Sequence, residues 1–178
     1  LIHGDILDCN LEDLIEPGTK VVANLPYNIA TTVILRLVDA ADRLASAVVM
    51  VQKEVGERIC APLGDKEYSA LTVVLSSVFE CNPGFVVGPK NFYPQPKVDS
   101  LVIKLVPKEE PLPRPEMNDF KKLVFTTFGQ RRKMLRNSLM NLPGITRNSL
   151  TEISGLSGVS LEKRPQELSW EDCLKLVR

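Results

Sequence analysis

Four adjacent residues, Asn24, Leu25, Pro26 and Tyr27, have the types and spacing to do chemistry; they lie in the run KVVANLPYNIATTVILRLV from Lys20 to Val38. An asparagine side-chain carbonyl accepts a hydrogen bond from an exocyclic amine, and a backbone carbonyl before or within the Leu25-Pro26 turn can accept a second. The Tyr27 ring offers a face for stacking a planar base, an interaction worth about 1–3 kcal/mol. Together these groups suit an adenine, or a similar amine, gripped at its N6 edge. The other reading is a strand-to-helix turn with Asn24 as cap and Tyr27 in the core. A turn explains the proline but not the tyrosine.

The flanking sequence supplies the elements that must position these residues. TKVVAN, Thr19 to Asn24, is a β-branched run without polar alternation, as expected for a strand in a sheet covered on both faces. Apolar residues at Ile29, Val33, Leu37 and Ala40 predict a helix over Ile29 to Ala41. Ligands of open α/β sheets bind at the carboxyl ends of strands, where Asn24 to Tyr27 falls. Leu44 to Val51 reads as a second apolar strand. Helices are predicted over Gln52 to Ala61 and Ser69 to Val78, separated by the breakers Pro62, Gly64 and Asp65. A link from Phe79 to Pro83 leads to a strand over Gly84 to Gly88, and VDSLVIKLV is another strand. The opening LIHGDIL reads as a short strand ending at Gly4-Asp5, and CNLEDLIEPG as a short helix or turn. These elements predict an α/β sheet with a hairpin-like end. The proline-rich stretch Pro107 to Glu116 predicts a boundary between a first domain, 1–108, and an all-helical second domain, 109–178. The second domain's helices are expected over Asp119 to Phe128, Gln130 to Leu142, from Ser149 onward, and over Leu168 to Val177 with Ser169 as N-cap.

Composition excludes several classes. With 22 Lys and Arg against 22 Asp and Glu, the 178-residue chain carries no net charge to attract an acidic partner as a whole. The local picture differs. Arg131, Arg132, Lys133 and Arg136 crowd one segment, and only Glu116 and Asp119 oppose the basic residues between Arg114 and Arg136. On the predicted helix, Met134, Leu135, Leu139 and Leu142 form an apolar stripe, so the basic residues project outward toward phosphates. Cys9, Cys60, Cys81 and Cys173 form no C-x-x-C pair and His3 is the lone histidine, so no metal site is expected. Scattered reduced thiols point to a cytoplasmic protein. No apolar run approaches the ~20 residues of a membrane helix. No Ser/His/Asp or Cys/His set supplies a nucleophile.

GDIL at Gly4, NLPYNIATT at Asn24, VQKEVGERI at Val51, FYPQPKVDSLVIKL at Phe92 and FGQRRKMLRNSL at Phe128 occur in one order. This set closely resembles the bacterial ribosomal RNA adenine dimethyltransferases that act on small-subunit rRNA, and the likeness extends to the RPQELSWEDCLKL ending. It implies an S-adenosylmethionine-dependent α/β enzyme: part of a Rossmann-like methyltransferase sheet followed by a small all-helical domain. It further implies dimethylation of adenine N6 in small-subunit rRNA, with the pre-30S particle as partner and no metal or membrane. Asp5 matches the position that contacts the cofactor's adenine amine, although an aspartate there can also cap the turn beginning ILDCN. Asn24 matches a residue serving both cofactor and target, and Leu25, Pro26, Tyr27 and Phe92 match the target pocket. Stacking between Tyr27 and Phe92 would hold an extruded base; on the other reading Phe92 is core. Lys53, Arg131, Arg132, Lys133 and Arg136 are the expected RNA contacts, whereas Glu54 and Arg58 are expected to pair on the surface.

Family members carry a glycine-rich loop and an acidic ribose-binding residue ahead of the G-D motif, whereas the ten glycines here never fall as G-x-G. The expectation is therefore a fragment without the sheet's first strands, inactive alone, with the TKVVAN strand presenting an open edge at Val21 to Ala23. Two other functions compete. One is a non-catalytic rRNA-binding or ribosome-assembly module. The other is a large-subunit rRNA adenine methyltransferase conferring antibiotic resistance, against which the Q-R-R-K-x-L-R-N segment stands. Absence of G-x-G-x-x-G disfavours a nicotinamide dehydrogenase.

Overall fold

The computed structural model describes residues 2–178. The chain divides into two compact units: one runs to Cys60 and resumes over Val78–Pro111, and the other comprises Ala61–Ser77 and Leu112–Arg178. Residues 61–77, assigned to the first domain on sequence, thus cluster with the helical unit.

The first unit is built on four strands, β1 (Thr19–Asn24), β2 (Leu44–Gln52), β3 (Phe79–Val87) and β4 (Ser100–Pro107), in the order β1-β2-β4-β3. β1 and β2 are parallel, and β4 runs antiparallel to both its neighbours. One face of the sheet is core: Ala47, Val49, Val51, Leu101, Ile103 and Leu105 are buried. Helices α1 (Leu11–Leu14), α2 (Ala30–Asp39) and α3 (Lys53–Ile59) complete the unit. The apolar stripe of α2 is buried at Val33, Ile34 and Leu37, as the helical period requires.

Three features of this unit differ from the sequence reading. β1 alternates half-buried and exposed residues, and Val22 is 83% exposed, so its second face is uncovered among the described residues. Among those residues β1 pairs with β2 alone and forms an edge. LIHGDIL is not a strand over its described residues, Leu1 lying outside them. Among the described residues no strand pairs with the segment. The carbonyls of Ile6, within it, and of Cys9, two residues beyond it, accept instead from the Arg36 guanidinium of α2, at 3.0 and 3.2 Å. Finally, Phe79 to Pro83 is not a link but the first half of β3. The register slips between Pro83 and Val86, and β3 is an edge, where a proline without an N–H is tolerated.

The second unit contains α4 (Ala70–Ser76), α5 (Arg114–Phe128), α6 (Leu135–Leu139), α7 (Arg147–Ser157) and α8 (Trp170–Val177). Phe120, Leu135, Leu139 and Leu168 are buried at its centre. The Tyr68 hydroxyl donates to the Leu168 carbonyl at 2.9 Å, and its ring lies 6.2 Å from that of Phe128. Ser69 caps α4, and Ser169 caps α8 by accepting from the Asp172 N–H at 3.2 Å.

α5 starts five residues earlier than its sequence pattern suggests, because Pro115 suits a first turn and Glu116 there receives two hydrogen bonds from Arg178, both 3.0 Å. The predicted helix over Gln130 to Leu142 shrinks to α6. The N–H groups of Leu135 and Arg136 donate to the carbonyls of Lys163 and Leu161, at 2.7 and 3.1 Å. Those amides are satisfied by another loop, so no preceding helical turn is needed to use them. Arg131 to Lys133 therefore sit on turns rather than on a helix face.

All four cysteines are free thiols. Burial pushes the Cys60 thiol up to about 11 and those of Cys81 and Cys173 up to about 12, so at neutral pH these three stay protonated; Cys173 is buried, and Cys60 and Cys81 are half-buried.

Candidate active site

The topology explains how residues nearly seventy apart in sequence share one site. β1 and β2 are parallel, so their carboxyl ends, Asn24 and Gln52, lie on one side of the sheet. β4 is antiparallel and starts where β2 ends, Gln52 opposite Ser100. The loop entering β4 is thereby delivered beside the turn leaving β1. Two bonds fix the junction. The Lys53 N–H donates to the Asp99 carbonyl at 2.9 Å, and the hydroxyls of Tyr27 and Ser100 are 2.8 Å apart. Ser100 is fully buried, so this pair anchors the far end of the Tyr27 ring. Its role was not read from the sequence, although the VDS at the head of β4, one residue short of the alternating run, was the available signal.

A recess of about 250 Å³ opens between the two segments. Asn24, Leu25, Pro26 and Tyr27 line one side, and Phe92, Tyr93, Pro94 and Pro96 the other. The five residues expected at a target pocket therefore share one cavity. Tyr27 and Phe92 are half-buried, so each ring is held yet keeps part of its surface open. The local hydrogen bonds also separate the possible acceptors. The Pro26 carbonyl is occupied by the Ile29 N–H at 3.1 Å. The Asn24 side-chain amide and the Leu25 carbonyl have no partner among the described residues. Two free acceptors beside two partly open rings can bind a planar group carrying an exocyclic NH2.

The remaining predicted residues lie elsewhere. Asp5 does not line this recess; one of its carboxylate oxygens accepts from the Leu7 N–H at 2.8 Å, capping the local turn. Its other oxygen has no partner among the described residues. Asp5 and Asn24 thus retain acceptors suited to an adenosyl cofactor's amines, whereas no glycine-rich loop is present. Lys53 begins α3 and faces Glu57 at 3.9 Å, outside the recess. Glu54 and Arg58 pair at 2.7 Å.

In the helical unit, Arg131, Arg132 and Lys133 line a second recess of about 520 Å³ with Gln130 and Gln166. Arg131 donates to the Lys66 carbonyl at 3.0 Å, and its buried Nε has no partner among the described residues. Arg132 and Lys133 are exposed and unpaired among the described residues. Arg136 stands apart, 2.6 Å from Glu162.

A mixed sheet with a recess at its strand ends places the chain among the α/β proteins, and comparison with known proteins narrows the class to Rossmann-like methyltransferases. The pattern of the family described as ribosomal RNA adenine dimethylase matches residues 1–177. A ribosomal RNA small subunit methyltransferase A of Geobacter metallireducens is 40% identical over the whole chain, which spans 67% of that relative. Its counterpart in Geobacter sulfurreducens is 38% identical with the same coverage. A dimethyladenosine transferase from Plasmodium falciparum has a similar structure, with TM-score 0.81 and 27% identity over 98% of this chain and 70% of that one. The 23S rRNA methyltransferase ErmE shares the fold at TM-score 0.65 and 23% identity, over 99% of this chain and 69% of its own. The chain belongs to the ribosomal RNA adenine dimethylase family.

Proposed function

We propose that this chain carries the target site of an S-adenosylmethionine-dependent enzyme that methylates adenine N6 twice in small-subunit rRNA, acting on the pre-30S particle in the cytoplasm. The observation that carries the reading is the pair of unpartnered acceptors, Asn24 and Leu25, beside the Tyr27 and Phe92 rings in one recess. S-adenosylmethionine, when bound, supplies a methyl group already activated on a sulfonium. The protein then needs no nucleophile of its own, and its contribution is positioning. Adenine N6 is a weak nucleophile because its lone pair is delocalised into the ring. Accepting both N6 hydrogens at Asn24 and Leu25 favours a pyramidal nitrogen and frees the lone pair. Tyr27 and Phe92 hold the ring plane and replace the stacking lost on extrusion. Each methyl gained is balanced by one N6 proton released to water, so after one methyl a single N6 hydrogen remains to be oriented. After two, none remains, and the product loses both hydrogen bonds. Asp5 and Asn24 would hold the cofactor's amine groups.

In the same reading the helical domain, 109–178, binds rRNA through Arg131, Arg132 and Lys133, with Lys53 a further backbone contact. Arg136 is committed to Glu162 and serves the fold first.

The test is nucleoside mass spectrometry of unmethylated small-subunit particles and, separately, of unmethylated large-subunit rRNA, each incubated with S-adenosylmethionine and the full-length protein. N6,N6-dimethyladenosine in small-subunit rRNA is the expected product. Methylation confined to large-subunit rRNA, or RNA binding without any methylation, would replace this reading with one of its two competitors.

A further inference from the structure

We infer that Tyr93 is a stacking platform for the RNA base next to the target adenine, an inference that rests on the recess being an adenine site. Tyr93 contributes to the recess wall, yet its side chain is fully exposed, at 101%. It differs in this from Tyr27, anchored on Ser100, and from half-buried Phe92. Neither its ring nor its hydroxyl has a partner among the described residues, so folding gains nothing from an aromatic side chain there.

The loop that presents Tyr93 is braced. The N–H groups of Asn91 and Phe92 donate to the Gly88 and Pro89 carbonyls at 3.1 and 3.2 Å, and the Asn91 side chain donates to the Gly88 carbonyl at 3.0 Å. Pro94 and Pro96 restrict the backbone beyond. With the backbone braced this way, binding has only the side-chain rotamers of the ring left to order. Lys90 and Lys97 on the same loop are exposed and unpaired among the described residues. An aromatic face between two free cations is the pattern that tracks a single strand, the ring taking a base and the lysines its phosphates. A base swung into the recess leaves its neighbour with one unstacked face. Tyr93, at the lip, is where that face arrives. The preferred substrate segment is therefore a loop or splayed strand rather than a continuous duplex.

The experiment uses full-length protein and a short RNA with one target position, carrying adenine or unsubstituted purine at the target and pyrrolocytosine at the adjacent position. Wild-type protein should change the pyrrolocytosine emission and should bind the adenine RNA several-fold more tightly than the purine RNA, whose base offers no exocyclic amine. Tyr93→Ala should abolish the pyrrolocytosine change and weaken binding of both RNAs about tenfold, the order expected for loss of one stacked base, while the preference for adenine over purine is kept. Tyr93→Phe should behave as wild type. If Tyr93→Ala leaves the signal and the affinity unchanged, the platform role is overturned and the adenine site stands. If wild-type protein binds the two RNAs equally, the adenine site is overturned and this inference with it.

Discussion

Tyr27 shows how one residue's function depends on a partner far along the chain. Its hydroxyl steadies the face that the ring presents, and Ser100 meets it at 2.8 Å from a fully buried position. Tyr27→Phe and Ser100→Ala should each cost about 1 kcal/mol, the usual net worth of a hydrogen bond whose partner is left behind. Because both remove the same bond, the double variant should cost less than the sum, by about 1 kcal/mol. Urea titrations of the four proteins measure this coupling; strictly additive losses would mean that the two hydroxyls act independently. In rRNA methylation Tyr27→Phe, which keeps the ring, should lose far less activity than Tyr27→Ala.

At the scale of elements, the strand ends that carry the site depend on α3 lying close to β4. Gly56 in α3 permits this: a Cβ there would sit 2.8 Å from Leu101 Cδ2 and 3.1 Å from its Cβ. Leu101 is buried, and its Cβ is fixed by the backbone of β4. Gly56→Ala should therefore destabilise by about 1–3 kcal/mol through overpacking, outweighing the helix propensity gain of about 1 kcal/mol. A rise in the urea midpoint would show that α3 can move away. The same scale shows what was legible in the sequence. β1, β2, α2 and α3 are plain in it because their apolar period and breakers are local. The site turn was legible because NLPY places chemically distinct residues at a strand end. The Gln130 to Leu142 helix was overcalled because its start is decided by carbonyls of Leu161 and Lys163, which no local pattern reveals. The opening strand was misread because a strand needs a neighbour, and Arg36 satisfies those carbonyls instead. The uncovered face of β1 could not be read, since Val21 and Val22 look alike in sequence yet lie on opposite faces.

For the whole molecule, stability and RNA affinity depend on different groups and respond to different variables. Burial first, then the Asp172 and Glu171 carboxylates, push the Cys173 thiol from 9.0 to about 12. The folded protein keeps this proton where the unfolded chain releases it, so above about pH 9 the unfolded state binds fewer protons and stability falls as pH rises. The contribution is intact below the unfolded thiol's range and lost progressively toward about pH 12, at up to about 1.4 kcal/mol per pH unit. Urea midpoints at about pH 8 and about pH 10 should show the decline, and Cys173→Ala should make it shallower; an unchanged slope would contradict burial as its source. RNA affinity should respond to salt. Removing Arg132 and Lys133 together should reduce the slope of log affinity against log salt by roughly 1.5–2, the yield of two lost phosphate contacts. Arg136→Ala should leave that slope near wild type, since its charge is spent on Glu162; an equal loss would place Arg136 on the RNA. The most direct measurement of the central claim separates chemistry from binding: methyl transfer to small-subunit rRNA by full-length Asn24→Ala protein, with RNA affinity measured alongside. Transfer should fall by roughly a hundredfold or more while affinity stays within about twofold, as expected when a positioning contact of the reacting atom is removed. Transfer at the wild-type rate would contradict the steering of the adenine amine by Asn24.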